Sequence, residues 1–128
     1  DSQRTTAMPH LIVEYANNLT EEDINIPVLL KSLCDTAVAT GLFPETGLRA
    51  RAYRADHQYV GTGNPDNSFV HVAMNVGKGR ELLERQNAGQ RLFDTLKEHM
   101  APLMTQQKIA LSFEMRELAE VKFNYKNT

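Results

Sequence analysis

Two stretches of this chain alternate between apolar and polar residues with the period of two that is typical of a half-buried β-strand. Residues 48–55 place leucine and alanine on one face and arginine and tyrosine on the other, and residues 108–118 repeat the alternation with larger apolar side chains. Two β-rich runs, 10–15 and 69–76, are typical of further strands. The pattern therefore predicts four strands.

A helix is predicted between the two strands of each pair. The first follows the acidic run 21–23, carries Pro27 in its first turn and ends at Gly41. The second runs from about 80 to 100, with Pro102 near its end. Helical spacing predicts buried side chains at Val28, Leu29, Leu30, Leu33 and Ala37 in the first helix, and at Leu82, Leu92, Phe93, Leu96 and Met100 in the second.

The order strand–helix–strand occurs twice, in repeats of about 9–57 and 68–118, on either side of the loop 61–67. Strands joined through a crossover helix are parallel, and the crossover is right-handed. We therefore predict an α+β fold with a four-stranded mixed sheet and both helices on one face. The other face carries a second set of apolar residues, and we expect another subunit to cover it.

Residues 1–8 stand apart from this pattern. Asp1 to Ala7 contain no apolar run, and we interpret 1–8 as a leader added to a single domain that spans 9–128. Met aminopeptidase removes an initiator methionine ahead of proline, so a natural start at Met8 would leave Pro9 at the amino terminus.

An amino-terminal Pro9 would be a secondary amine. The unperturbed pKa of an α-amino group is about 7.7–8.0, and nearby cations lower it, which gives a base that works near neutral pH. An internal proline is an amide and cannot act in this way. The alternative is that Pro9 only begins a strand, where a missing N–H costs nothing.

Parallel strands begin at the same edge of a sheet, so Pro9 and Arg49 should lie close together. Arg49 and Arg51 share one face of their strand. Two guanidinium groups there would bind carboxylates in fork geometry and would lower the pKa of a neighbouring amine. The alternative is that both are solvated strand residues paired with acidic side chains.

Arg80 follows the Gly77-Lys78-Gly79 turn at the predicted start of the second helix. Backbone N–H groups at a helix amino terminus attract anions, and a cation there is unfavourable unless it is exposed or an anion binds. The segment lacks the spacing of a phosphate-binding P-loop. The structural alternative is a tight turn in which Arg80 is an ordinary helix-start residue.

Composition limits the remaining possibilities. The 128 residues are 41% hydrophobic and 23% charged, with a net charge of −2, which does not favour binding to nucleic acid or an anionic membrane. No segment approaches the ~20 apolar residues of a membrane helix. The single cysteine, Cys34, indicates a reducing compartment, hence a cytoplasmic protein. The histidines lack metal-ligand spacing, so we predict no metal.

Several motifs occur in an order that resembles the 5-carboxymethyl-2-hydroxymuconate isomerases of the tautomerase superfamily. They are Met8-Pro9-His10 with Val13-Glu14, Ala39 to Pro44 with Gly47 to Arg51, Phe69-Val70-His71 with Gly77 to Arg80 and Arg85-Gln86, and Leu111 to Glu114. The resemblance covers 9 to about 118. It implies the tautomerase fold, a homotrimer and a reaction without a cofactor.

The resemblance also implies roles for individual residues. Pro9 matches the catalytic amine, while Arg49 and Arg80 match substrate-binding arginines; Arg51 is our addition from the strand alternation. The implied substrate is the dienol 5-carboxymethyl-2-hydroxymuconate of homoprotocatechuate (4-hydroxyphenylacetate) degradation, which becomes its 2-oxo-3-ene isomer. The sequence departs from the family in that Met8 acylates the nitrogen of Pro9.

Two alternative functions remain open at this stage. The first is a tautomerase that acts on another 2-hydroxydienoate or on phenylpyruvate. The second is a non-catalytic trimer that keeps the fold and uses its arginines to bind an anionic ligand. For the isomerase itself we expect a small di- or tricarboxylate substrate.

Overall fold

The computed structural model describes residues 8–118 and 121–127, so the predicted leader lies outside the described residues except for Met8. The elements in chain order are β1 (His10–Tyr15), α1 (Glu21–Ile24), α2 (Ile26–Ala39), β2 (Arg49–Arg54), β3 (Ser68–Val76), α3 (Leu82–Met104) and β4 (Ile109–Glu117). A 3-10 turn, Glu45–Gly47, precedes β2.

The four strands form one sheet in the order β2-β1-β3-β4. Strands β1 and β2 are parallel, as are β3 and β4, while β1 and β3 are antiparallel. The prediction of two tandem β-α-β units in a mixed four-stranded sheet is therefore confirmed. The antiparallel pair at the centre joins the two units.

One continuous apolar core lies between the sheet and the long helices. Its fully buried side chains include Leu11, Val13, Val70, Val72 and Met74 from the sheet and Leu29, Leu33, Leu92 and Leu96 from the helices. Burying each of these side chains contributes roughly 1.5–3 kcal/mol. The core fixes which face of each strand points away from the helices, and so which residues can form a site there.

The first predicted helix is divided in two. Thr20 caps α1, because its hydroxyl oxygen accepts a hydrogen bond from the backbone N–H of Asp23 at 3.0 Å. Asn25 then adopts a left-handed conformation, with φ of 58°, between α1 and α2. Asparagine tolerates this conformation better than most residues do. The acidic run 21–23 therefore lies in the first turn of the short helix α1, which precedes the long helix α2.

The second predicted helix is displaced toward the carboxyl end of the chain. Helix α3 begins after Glu81, which forms a capping box with Glu84, and it includes Pro102 in its last turn. The predicted burial was wrong at Val28 and Leu82, which are 48% and 59% exposed. Val28 points away from the core next to buried Leu29 in α2, and Leu82 is the first residue of α3.

The outer face of the sheet, which points away from the helices, is more polar than predicted. Its apolar residues include Ile12 and Ala73. In β3 and β4 the imidazole of His71 contacts the Ser112 hydroxyl at 2.6 Å and a Glu114 carboxylate oxygen at 3.1 Å. In the described part of the chain, no helix combines the length and apolarity that crossing a membrane requires.

Candidate active site

Backbone pairing places Pro9 beside Arg49. His10 lies opposite Arg49 in the parallel β1–β2 ladder, and the Arg49 backbone N–H donates to the carbonyl oxygen of Pro9 at 3.0 Å. Both residues therefore lie at the same edge of the sheet, where the strand order predicted them. Pro9 itself is buried.

The side chain of Met8, the residue before Pro9, lies beside Arg49. An Nη2–H of Arg49 approaches the sulfur of Met8 at 3.7 Å, a long and weak contact. The Nη1 group of Arg49 donates to the carbonyl oxygens of Thr46 and Leu48, both at 3.1 Å. Because Met8 is bonded to the Pro9 nitrogen, a group placed next to that nitrogen lies within reach of the Arg49 guanidinium.

Arg51 holds His10 in one tautomer. The Nη1 of Arg51 lies 2.9 Å from Nδ1 of His10, and a guanidinium can only donate, so Nδ1 accepts and the imidazole proton is on Nε2. Burial, followed by the charges of Arg51, Lys122 and Arg49, lowers the pKa of His10. The ring is therefore neutral at pH 7 and offers an N–H donor.

Sequence reasoning considered His10 as a possible metal ligand and as part of a family motif, and it missed this arrangement. The available signal was its position as the first outward-facing residue of β1, directly opposite Arg49. In the described residues, no group of three or more His, Cys, Asp or Glu side chains could hold a metal ion.

These side chains line a groove of about 630 Å³ at the sheet edge, which we call the arginine groove. Its lining residues are Met8, His10, Leu48, Arg49, Ala50, Arg51, Tyr125 and Lys126. The volume is in the range of small-molecule sites, roughly 300–1,000 Å³. With three basic side chains in its lining, the arginine groove suits a small anionic ligand such as a carboxylate.

Arg80 occupies a different environment from the one predicted. Its side chain is 5% exposed, and Nε and Nη2 donate to the carbonyl oxygen of Leu42 at 3.3 and 3.0 Å, while Nη1 donates to that of Gly77 at 3.1 Å. The guanidinium lies 4.7 Å from the ring centroid of Phe43. The carbonyl acceptors offset the cost of burying this cation. The next residue, Glu81, and not Arg80, caps α3.

Cys34 is half-buried in α2. Burial and the neighbouring Asp35 carboxylate raise the pKa of its thiol, which disfavours the reactive thiolate. A structural role for Cys34 is consistent with this environment.

Comparisons with known proteins agree on one family. Residues 9–128 match the family model described as CHMI, 5-carboxymethyl-2-hydroxymuconate isomerase. An Escherichia coli protein described as 5-carboxymethyl-2-hydroxymuconate Delta-isomerase is 42% identical over 111 residues, which cover 87% of each chain.

Solved structures extend the comparison to the fold. A crystal structure of a 5-carboxymethyl-2-hydroxymuconate isomerase from Deinococcus radiodurans R1 has a TM-score of 0.86 and 36% identity, and the match covers 96% of this chain and 92% of that one. A structure described as an F6 fused 4-OT wild-type asymmetric trimer has a TM-score of 0.65 at 15% identity, covering 93% and 94% of the two chains. At that identity the likeness concerns the fold alone.

Proposed function

The chain belongs to the 5-carboxymethyl-2-hydroxymuconate isomerase family, and from that membership we propose that it converts the dienol 5-carboxymethyl-2-hydroxymuconate to its 2-oxo-3-ene isomer. The observation that carries the proposal is the hydrogen bond from the Arg49 backbone N–H to the carbonyl oxygen of Pro9, which places Pro9 beside a groove lined by Arg49 and Arg51. We place the reaction in homoprotocatechuate degradation, as the family resemblance implies.

Pro9 is the base in this proposal, acting as a free amine once no residue precedes it. Its nitrogen accepts the proton of the 2-hydroxyl group, the electron pair moves through the conjugated diene, and a proton is returned to C5. The C2–O bond becomes a carbonyl, and one C–H bond forms as one O–H bond breaks. The conjugation of the substrate delocalises the charge, so the step requires no metal or organic cofactor.

The arginines bind the carboxylates of the substrate and stabilise the negative charge that develops during this step. Arg49 and Arg51 project into the groove, where they would hold carboxylates and stabilise the developing dienolate, an effect that can contribute several kcal/mol. A substrate-binding role for Arg80 stays a prediction. Its contacts with the Leu42 and Gly77 carbonyls support a second role, which is to hold the turn after β3 against the loop that leads to β2.

We further propose a homotrimer of single-domain chains in the cytoplasm. The family match over 9–128 supports the domain bounds and the interpretation of 1–8 as a leader. The fold shared with the trimeric 4-OT fusion and the open outer face of the sheet support the assembly. The single cysteine is what supports the location.

Removing residues 1–8 tests the role of Pro9. A chain that begins at Pro9 should turn over the dienol at least ~100-fold faster than the chain that retains the leader, because general base catalysis is typically worth 10²–10⁴-fold. The rate is measured from the absorbance change of the dienol, with the terminus of each chain confirmed by mass spectrometry. Equal rates in the two chains would reject proline base catalysis.

Two arginines on β2 provide a matched pair in the Pro9-initiated chain. Arg49→Ala should lower kcat/KM at least ~10-fold, about 1.4 kcal/mol. Arg54→Ala, at the far end of the same strand where its guanidinium donates to the Asn17 carbonyl, should leave kcat/KM within about twofold. Binding of the dienol without any spectral change would favour the non-catalytic alternative, and faster turnover of phenylpyruvate would favour a different substrate.

A further inference from the structure

The carboxyl-terminal tail, residues 121–127, lies along the arginine groove. Tyr125 and Lys126 line the groove together with Met8 and Arg49, although they are far from these residues in sequence. Lys122 is close enough for its charge to lower the pKa of His10. The tail has no helix or strand, and its side chains are exposed. It therefore adds cations to a site otherwise built from β1 and β2.

The substrate in the proposed function calls for more than two cations. A muconate has a carboxylate at each end of its six-carbon chain, and the 5-carboxymethyl group adds a third. Within the groove lining, Arg49 and Arg51 supply two guanidinium groups on one face of β2. Arg80 donates to the carbonyls of Leu42 and Gly77 and is not among the lining residues.

We propose that Lys126 binds the third carboxylate and thereby makes the site prefer carboxymethyl-substituted dienols to plain 2-hydroxydienoates. This inference rests on the proposed function and concerns its specificity. A lysine ammonium is a compact charge on a flexible stem, which suits a carboxylate carried on a rotatable methylene group. Among the described residues, no hydrogen bond joins 121–127 to the sheet, so Lys126 can adjust to the ligand without disturbing β1 or β2.

The experiment compares two substrates in the Pro9-initiated chain. Lys126→Ala should lower kcat/KM for 5-carboxymethyl-2-hydroxymuconate about fivefold, mainly through a higher KM, because an exposed ion pair is worth up to ~1 kcal/mol. For 2-hydroxymuconate, which lacks the carboxymethyl group, the change should stay within about twofold. Lys126→Arg should keep most of the preference, since it preserves the charge.

Lys31→Ala is the matched control, because Lys31 is an exposed lysine on α2 that pairs with Asp35 outside the groove. Lys31→Ala should leave kcat/KM unchanged for both substrates. Raising the ionic strength should reduce the preference of the unaltered enzyme but not that of Lys126→Ala.

Two results would overturn the proposal, and they are distinguishable. If the unaltered chain discriminates between the substrates and Lys126→Ala discriminates equally well, the assignment of Lys126 is wrong while the proposed function stands. If the unaltered chain turns over neither substrate, the proposed function fails and this inference fails with it.

Discussion

The contact between Arg51 and His10 determines which protons the arginine groove can offer. Burial is the largest cause of the lowered pKa of His10, and the Arg51 guanidinium is the next. A histidine whose pKa is lowered in the folded chain binds its proton more readily when unfolded. Above about pH 6.5 the ring is mainly neutral in both states, so His10 does not change the free energy of unfolding. As the pH falls from there through the folded pKa, the unfolded chain binds the proton more readily and the folded state loses stability.

Replacing Arg51 tests this account. In Arg51→Ala the pKa of His10 should rise toward its ordinary value, because one cation is removed while burial remains. An NMR titration of the His10 ring protons measures the change. Arg54→Ala serves as the control, since Arg54 lies at the other end of β2 and does not contribute to the shift. An unchanged His10 pKa in Arg51→Ala would show that Arg51 does not contribute to the shift.

Single residues were predictable from sequence where the backbone alone determines their position. Pro9 and Arg49 begin neighbouring parallel strands, so strand order was enough to bring them together. Arg80 was not predictable in the same way. Its environment depends on the Leu42 carbonyl and the Phe43 ring, which reach it only through tertiary packing.

At the scale of elements, helical periodicity gave the buried face of α3 but not its extent. Leu92, Leu96 and Met100 are buried as the period predicts, whereas Leu82 has the same phase and is exposed. A helical period specifies the direction of a side chain around the helix axis, while burial also requires a neighbouring surface at that position along the axis. At the start of α3 the side chains of Leu82 and Leu83 are both largely exposed, so no neighbouring surface covers them there.

Two leucines of α3 make this difference measurable. Leu96→Ala should lower the free energy of unfolding by about 2–5 kcal/mol, because it leaves a cavity in the core. Leu82→Ala removes the same atoms from a side chain that is 59% exposed. It should change the free energy of unfolding by no more than about 0.5 kcal/mol. Urea denaturation of both variants gives the comparison. Similar losses in the two would contradict the assigned core.

At the scale of the whole molecule, the repeated sequence pattern predicted the topology. Two β-α-β units that each bury one sheet face must join through their strands, and the β1–β3 pairing does this. The composition of the outer face was harder to anticipate. Residues such as Ser112 and Glu114 follow the polar phase of β4, and their hydrogen bonds to His71 form only once β3 and β4 are paired.

The proposed trimer predicts that this outer face is covered. Native mass spectrometry of the Pro9-initiated chain should show an assembly of three chains. Ser112→Arg should shift the population toward single chains, because Ser112 is exposed at the middle of the outer face in the isolated chain. Gln106→Arg, in the exposed turn before β4, should leave the assembly intact. Circular dichroism confirms that each variant is folded, and an unaffected Ser112→Arg assembly would exclude an interface on this face.

The pairing of the strands shows that the two repeats are not chemically equivalent. Phe69 lies opposite Ala110 in β3–β4, in the same alternation phase as His10 opposite Arg49 in β1–β2. The counterpart of Pro9 is then Ser68, whose nitrogen is an ordinary mid-chain amide, and a methyl group replaces the guanidinium. The two repeats thus present one edge that can carry the proposed reaction and a second edge that has neither the amine nor the guanidinium, so only half of the equivalent positions in any assembly can bear a reactive amine.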